Sequence, residues 1–265
     1  MSGWFTALLA GALAVFLVFL TLPLVALLVD RSPAELADAL REPGALDALW
    51  LSLRTTAAAM VVIVLLGTPA AYLVGTRRFR GRALLITLIE LPLVLPPAVA
   101  GIALLAALGP AGVLGGALDA ANVRLSLATA GVVVALVFVA SPFYLRQGIA
   151  AFGAVDRTLL DASRTLGASP ARTFARVAVP TAMPGLVAGG ALALGRALGE
   201  FGATLMFAGS FQGITQTVPL AIYDRFATDF TAALALSAVL IAVSAAILLA
   251  VKLVHGADVL GGAAR

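Results

Sequence analysis

Apolar residues fall in six long stretches, at about 7–29, 53–75, 84–107, 127–148, 186–208 and 232–254, with polar segments between them. A bilayer core of roughly 30 Å takes about 20 apolar residues per helix, and each stretch reaches that length. The pattern therefore predicts an all-α membrane protein with six transmembrane helices. Pro92, Pro96 and Pro97 interrupt the third stretch. Such breaks survive in a membrane only where protein or a water-filled cavity satisfies the freed backbone groups. The first stretch is longer than the apolar region of a typical signal peptide and has no basic segment before it. It is expected to remain as a helix.

Between the first two spans, Ser32-Pro33-Ala34-Glu35 carries a cap, a first-turn proline and a glutamate at the third position. Those are the marks of a helix start, and a short interfacial helix is predicted there. The organisation expected is a first helix with an outer interfacial segment (1–48), a main transmembrane domain (49–252) and a short tail (253–265). The longest non-spanning stretch is 149–185. No soluble domain is evident.

Composition agrees. Of the 265 residues, 62% are hydrophobic and 11% charged, against about a quarter charged in soluble proteins. The absence of cysteine excludes disulfides, zinc–thiolate sites and thiol nucleophiles. One histidine, His255, cannot build a histidine-based metal cluster, and it is expected at the interface past the last span. The net charge of +4 matters through its placement. Arg77, Arg78, Arg80 and Arg82 lie in the second loop. Arg146, Arg157, Arg164, Arg172 and Arg176 lie in or beside the fourth, and Lys252 and Arg265 in the tail. These are 11 of the 17 basic residues, all on one side. Arg31, Arg41, Arg124 and Arg225 lie on the other, with Arg54 at the mouth of the second span. Basic loops stay inside, so both termini are expected in the cytoplasm of a prokaryote, with the chain in its inner membrane.

The fourth loop alternates helix and stop signals. Val155 to Leu166 has apolar residues at helical spacing, and Gly167 stands where a glycine ends a helix. Ser169-Pro170 then supplies a cap and a first-turn proline for a second short helix. Pro180 and Pro184 are expected to close it before the fifth span. An amphipathic helix lying on the membrane surface would share some of these marks. The spacing also resembles the Glu-Ala-Ala loop of ABC importer permeases. Asp161-Ala162-Ser163 stands for the first triplet, followed by Gly167 and Ala168, with Phe174, Val177, Val179, Pro180 and Pro184 in the tail of the motif. Asp replaces Glu and Ser replaces the second Ala. The resemblance implies a type I importer transmembrane domain whose loop docks on an ATPase subunit.

Two further segments resemble the molybdate branch of that family, close to tungstate and sulfate permeases. They are Gly195–Ser210 in the fifth span and Glu90–Gly109 in the third; Thr215–Asp224 fits as well. The resemblance covers about residues 48–252. It implies a permease dimer, two copies of an ATP-binding subunit that hold ATP–Mg, and an extracytoplasmic molybdate-binding protein. It implies no cofactor in this chain itself. The lipid bilayer is the remaining partner, and no nucleic acid is expected.

Arg196 and Glu200 are spaced i and i+4 within the fifth stretch. Intramembrane charges usually pair and face the bundle interior. Two readings stay open: a bridge holding helices together, within the pair or to Glu90, or an anion path in which Glu200 keeps Arg196 from trapping the ion. Gly185/Gly189 and Gly195/Gly199 have the spacing that lets helices approach closely. No Walker A loop is present, since the single lysine is followed by Leu253. No Gly-x-Ser-x-Gly or His-Glu-x-x-His signature occurs either, so the chain is not expected to be an enzyme. The same machine carrying sulfate or tungstate is the near alternative. An ion-coupled secondary transporter would call for inverted repeats, and a membrane enzyme or scaffold for a reactive constellation; neither is evident.

Overall fold

Apolar length alone builds most of the architecture. The computed structural model describes residues 3–29, 32–41 and 44–262. In chain order its elements are α1 (Gly3–Val29), α2 (Pro33–Arg41), α3 (Ala45–Thr76), α4 (Arg82–Val94), α5 (Pro97–Leu108), α6 (Gly115–Ala120), α7 (Thr129–Gly153), α8 (Arg157–Thr165), α9 (Pro170–Thr173), a π turn (Phe174–Ala178), α10 (Val179–Leu198), α11 (Gly202–Ala208), α12 (Val218–Phe226) and α13 (Phe230–Gly262). Five helical runs are long and apolar enough to cross a membrane, and the bent pair α4–α5 makes up to six. Their outer faces stay apolar, with Leu65 67%, Leu66 68% and Val94 80% exposed. Lipid is the solvent that suits such a surface. The residues beyond 252 continue α13 as far as Gly262. Arg31 and Arg265, which enter the charge argument, lie outside the described residues.

The centre is the packing of α3, α7 and α10. Ala59, Ile63, Val132, Leu136, Ala140, Leu186 and Ala193 fill it. Gly185 and Gly189 set the approach of α10 to α7. A Cβ at Gly185 would stand 2.5 Å from the Ala151 Cβ, and one at Gly189 2.9 Å from the Gln147 Cβ. A Cβ at Gly195 would meet nothing within 4 Å, so no close approach in this chain requires that glycine. Of the two spaced glycine pairs, the first is a packing device. Between α3 and α7, the hydroxyls of Thr68 and Tyr144 share a hydrogen bond at 2.7 Å.

Two spans depart from the sequence expectation. The third is two helices, α4 and α5, bent by 116°. Leu95 and Pro96 at the break are extended, with ψ of 133° and 137°. Each precedes a proline, and the proline ring pushes its predecessor out of the helical region. Pro92, expected to break the span too, sits inside α4. The fifth span is displaced from 186–208. A continuous helical run covers Pro170–Leu198, so Pro180 and Pro184 lie within it and close nothing. The π turn directly before Pro180 absorbs the irregularity, with the Val179 N–H donating to the Phe174 carbonyl. The run then stops, and α11 follows after Gly199–Phe201. The second short helix expected from Pro170 is therefore present, but it runs on into the fifth span instead of closing before it.

Smaller helices close the far end. The start of α2 is a reciprocal capping box: Ser32 N–H donates to Glu35 Oε2 at 2.7 Å and Glu35 N–H to Ser32 Oγ at 3.3 Å. The α12 helix packs through Val218 and Ala221 on Ala45 and Ala48 of α3 and Leu236 of α13. Its first turn donates the Val218 N–H to Ser52 Oγ at 2.8 Å.

Candidate functional site

Local chemistry shapes the segment between α7 and α10. Asp156 caps α8 by accepting the Thr158 N–H at 2.9 Å, and that bond holds its carboxyl below the ordinary value of 3.8. At the other end Gly167 takes φ +82°. Its N–H donates to the Arg164 carbonyl at 2.9 Å, and the Ala168 N–H to that of Ser163 at 3.1 Å. Those two bonds make a Schellman motif, which satisfies carbonyls left open at the helix end. Ser169 then caps α9, accepting from Arg172 N–H at 3.4 Å. The result is a short helix closed at both ends, then a tight turn into the long run of α9, the π turn and α10.

Anchors run from this helix into the bundle. Leu160 is buried, 5% exposed, in the central core. Ser163 and the fully buried Thr173 share a hydroxyl hydrogen bond at 3.0 Å. Phe174 packs on Tyr72 of α3 with the rings tilted, 4.9 Å between centres, and Tyr72 meets Phe152 of α7 edge-on at 5.3 Å. Displacing α8 must therefore push on α3, α7 and α10 together, because close-packed interiors transmit strain. The opposite face is open: Asp161 and Ala162 are exposed, as are Leu159 at 48% and Leu166 at 88%. Arg164 pairs with Asp161 at 3.2 Å on that face. Ala168 is half-buried, and Pro180 lies exposed in the first turn of α10. The sequence reading missed Asp156, Leu160, Thr173 and Tyr72. Of these Asp156 had a local signal, as an acidic residue just before a helical run, and Leu160 had one in the apolar spacing of that run.

The intramembrane charges form two pairs. Glu200 is buried past the end of α10, its side chain fully covered, and it pairs with Arg196 in the last turn. Its other oxygen accepts the Ala203 N–H of α11 at 2.6 Å. Glu90 pairs with Arg146 instead, joining α4 to α7 at 3.6 Å with both side chains partly exposed. A bridge from Arg196 to Glu90 does not occur. The two residues spaced i and i+4 do meet, but across a helix end rather than on one helix face. Among the described residues, no group of three His, Cys, Asp or Glu side chains is placed to hold a metal.

The model of the family described as "binding-protein-dependent transport system inner membrane component" matches residues 63–257. The chain belongs to that family. This permease is 44% identical over 237 residues to the molybdenum transport system permease protein ModB of Mycobacterium tuberculosis, covering 89% of each chain. It is 39% identical over 251 residues to a probable molybdenum ABC transporter permease protein of Haloferax volcanii, covering 94% of the permease and 88% of the relative. Among solved structures, a bacterial alginate ABC transporter crystallised with its alginate-bound periplasmic protein superposes with a TM-score of 0.74. The identity there is 16%, covering 94% of the permease and 92% of that chain. At that identity the likeness speaks for the fold, which is that of an ABC importer transmembrane subunit.

Proposed function

We propose that this chain is the channel-forming permease of an ATP-driven molybdate importer. The observation that carries the reading is 44% identity to a molybdenum permease over nine-tenths of both chains. The geometry supports a mechanism for it. An ATP-binding subunit, present in two copies and holding ATP–Mg, grips the open face of α8 around Asp161, Ala162 and Gly167. Closure of those subunits on ATP moves the capped helix, and Leu160, Ser163 and Phe174 carry the motion into α3, α7 and α10. Two copies of this permease enclose the path, and an extracytoplasmic binding protein delivers the anion. The distribution of basic residues favours an orientation with both termini in the cytoplasm. Sulfate and tungstate share the tetrahedral oxyanion chemistry, so selectivity is the test. Proteoliposomes holding the permease, its ATPase and its binding protein should take up labelled molybdate on addition of ATP. Excess sulfate should leave that uptake nearly unchanged. Abolition of uptake by equimolar sulfate would overturn the assignment to molybdate.

A further inference from the structure

The break between α10 and α11 holds the most deeply buried charge among the described residues. Glu200 lies in a three-residue interruption, Gly199–Phe201, and its side chain is completely covered. Each carboxylate oxygen has a separate task. One accepts the Ala203 N–H at 2.6 Å, and so fixes the first turn of α11. The other pairs with the Arg196 guanidinium, whose side chain is 26% exposed. The α11 helix in turn lies hard against α5. A Cβ at Gly101 would come 2.7 Å from the Ala203 carbonyl oxygen, and one at Gly202 2.7 Å from the Pro97 Cβ. Glu200 therefore ties the end of α10 to the start of α11, which itself packs on the bent helix.

A guanidinium offers five N–H donors in a planar fork, and one carboxylate oxygen does not saturate it. Two adjacent N–H groups of that fork match two oxygens of a tetrahedral oxyanion. We propose that Glu200 is a tethered counter-anion, which the transported oxyanion displaces from Arg196. With Glu200 in place the pair is neutral and holds no ion. With the oxyanion in place Glu200 is released, its bond to Ala203 is weakened, and the Gly199–Phe201 interruption becomes a hinge. Passage of the anion and rearrangement of the break are then one event. The Glu90–Arg146 pair lacks this burial, both of its side chains being more exposed.

This inference rests on the transport reading, and the experiment separates the two. The chain has no cysteine, and Gly199 is exposed with room for a side chain. A Gly199→Cys permease can therefore be labelled at one position with a maleimide. Molybdate should raise its labelling rate severalfold, and Arg196→Gln in the same background should abolish that response. In Glu200→Gln, molybdate binding to the purified permease should tighten about tenfold, because a competitor occupying Arg196 most of the time is gone. ATP-driven turnover of Glu200→Gln should fall by a similar factor, because the ion is held. If the unmodified complex imports molybdate while Gly199→Cys labelling ignores the anion, the counter-anion role is wrong. The same holds if the Arg196→Gln/Glu200→Gln permease transports normally. If the unmodified complex imports no molybdate at all, the transport reading itself has failed.

Discussion

The two irregular regions of this permease are irregular in opposite ways. Around α8 every interruption is satisfied locally. Asp156 caps one end, Gly167 and Ala168 close the other, and Ser169 starts the next helix. Where α5 meets α11, the helix start is satisfied by a buried charge three residues away, and the contact itself joins distant parts of the chain. Gly101 and Gly202 admit the backbone and a ring of the neighbouring helix, and Glu200 supplies the acceptor for Ala203. Water can complete a helix end at a membrane surface, whereas inside lipid only protein or a water-filled cavity can. The surface device should therefore tolerate changes in stability but not in function, and the crossing should tolerate neither.

The largest effect that would sharpen this contrast is at the crossing. Gly101→Leu places a Cβ 2.7 Å from the Ala203 carbonyl oxygen and 2.6 Å from the Met206 Cβ. Overpacking of that kind costs about 3 kcal/mol. Folded yield and thermal midpoint in detergent should both collapse. A wild-type melting curve would break the comparison.

Next comes Gly167→Val. The site has open space, but its φ of +82° costs a side-chain residue about 1–2 kcal/mol. The damage should stay local, with near-normal melting of the membrane core but loss of ATPase binding in a pull-down and of uptake. Retained ATPase binding would count against α8 as the docking element.

A smaller effect is expected at Asp156. Its folded-state carboxyl titrates below the ordinary value of 3.8, so its contribution is complete above that value and is lost as pH falls through the depressed one. Uptake from pH 5 to 8 should show no step from this residue. Asp156→Ala should lower coupling modestly at every pH in that window, and a difference between the two proteins that vanishes at pH 5 would contradict the cap. The smallest effect belongs to Arg164→Gln. Its partner Asp161 is mostly exposed, so stability should change by about 0.5 kcal/mol or less. A large shift in the melting curve would mean that the open face is not open.

The same contrast explains what was legible in the sequence. Long apolar stretches announced the spans, and Ser32, Gly167 and Ser169 announced helix ends, because those signals act within a few residues. The 116° bend follows from Pro96 and Pro97, but its partner α11 does not, because nothing near Gly101 specifies Met206 or Ala203 as neighbours. Pro180 misled for a related reason. A proline is a strong stop signal in isolation, yet the π turn before it let the helix continue. The spacing of Arg196 and Glu200 allowed their pairing but left Glu90 open as a partner; the structure pairs the first two, although the helix ends between them. The partner of Glu90 is Arg146, 56 positions away, and no local rule reaches that far.

The proposed coupling runs from ATP closure outside the membrane, by way of α8, to oxyanion passage through this chain. The most direct test is molybdate uptake into proteoliposomes containing the permease, its ATPase and its binding protein, with the Gly167→Val permease in parallel. Uptake should require hydrolysable ATP, ignore sodium and proton gradients, and disappear in the variant while its membrane core melts normally. Uptake driven by an ion gradient without ATP, or full ATP-driven uptake by the variant, would contradict it.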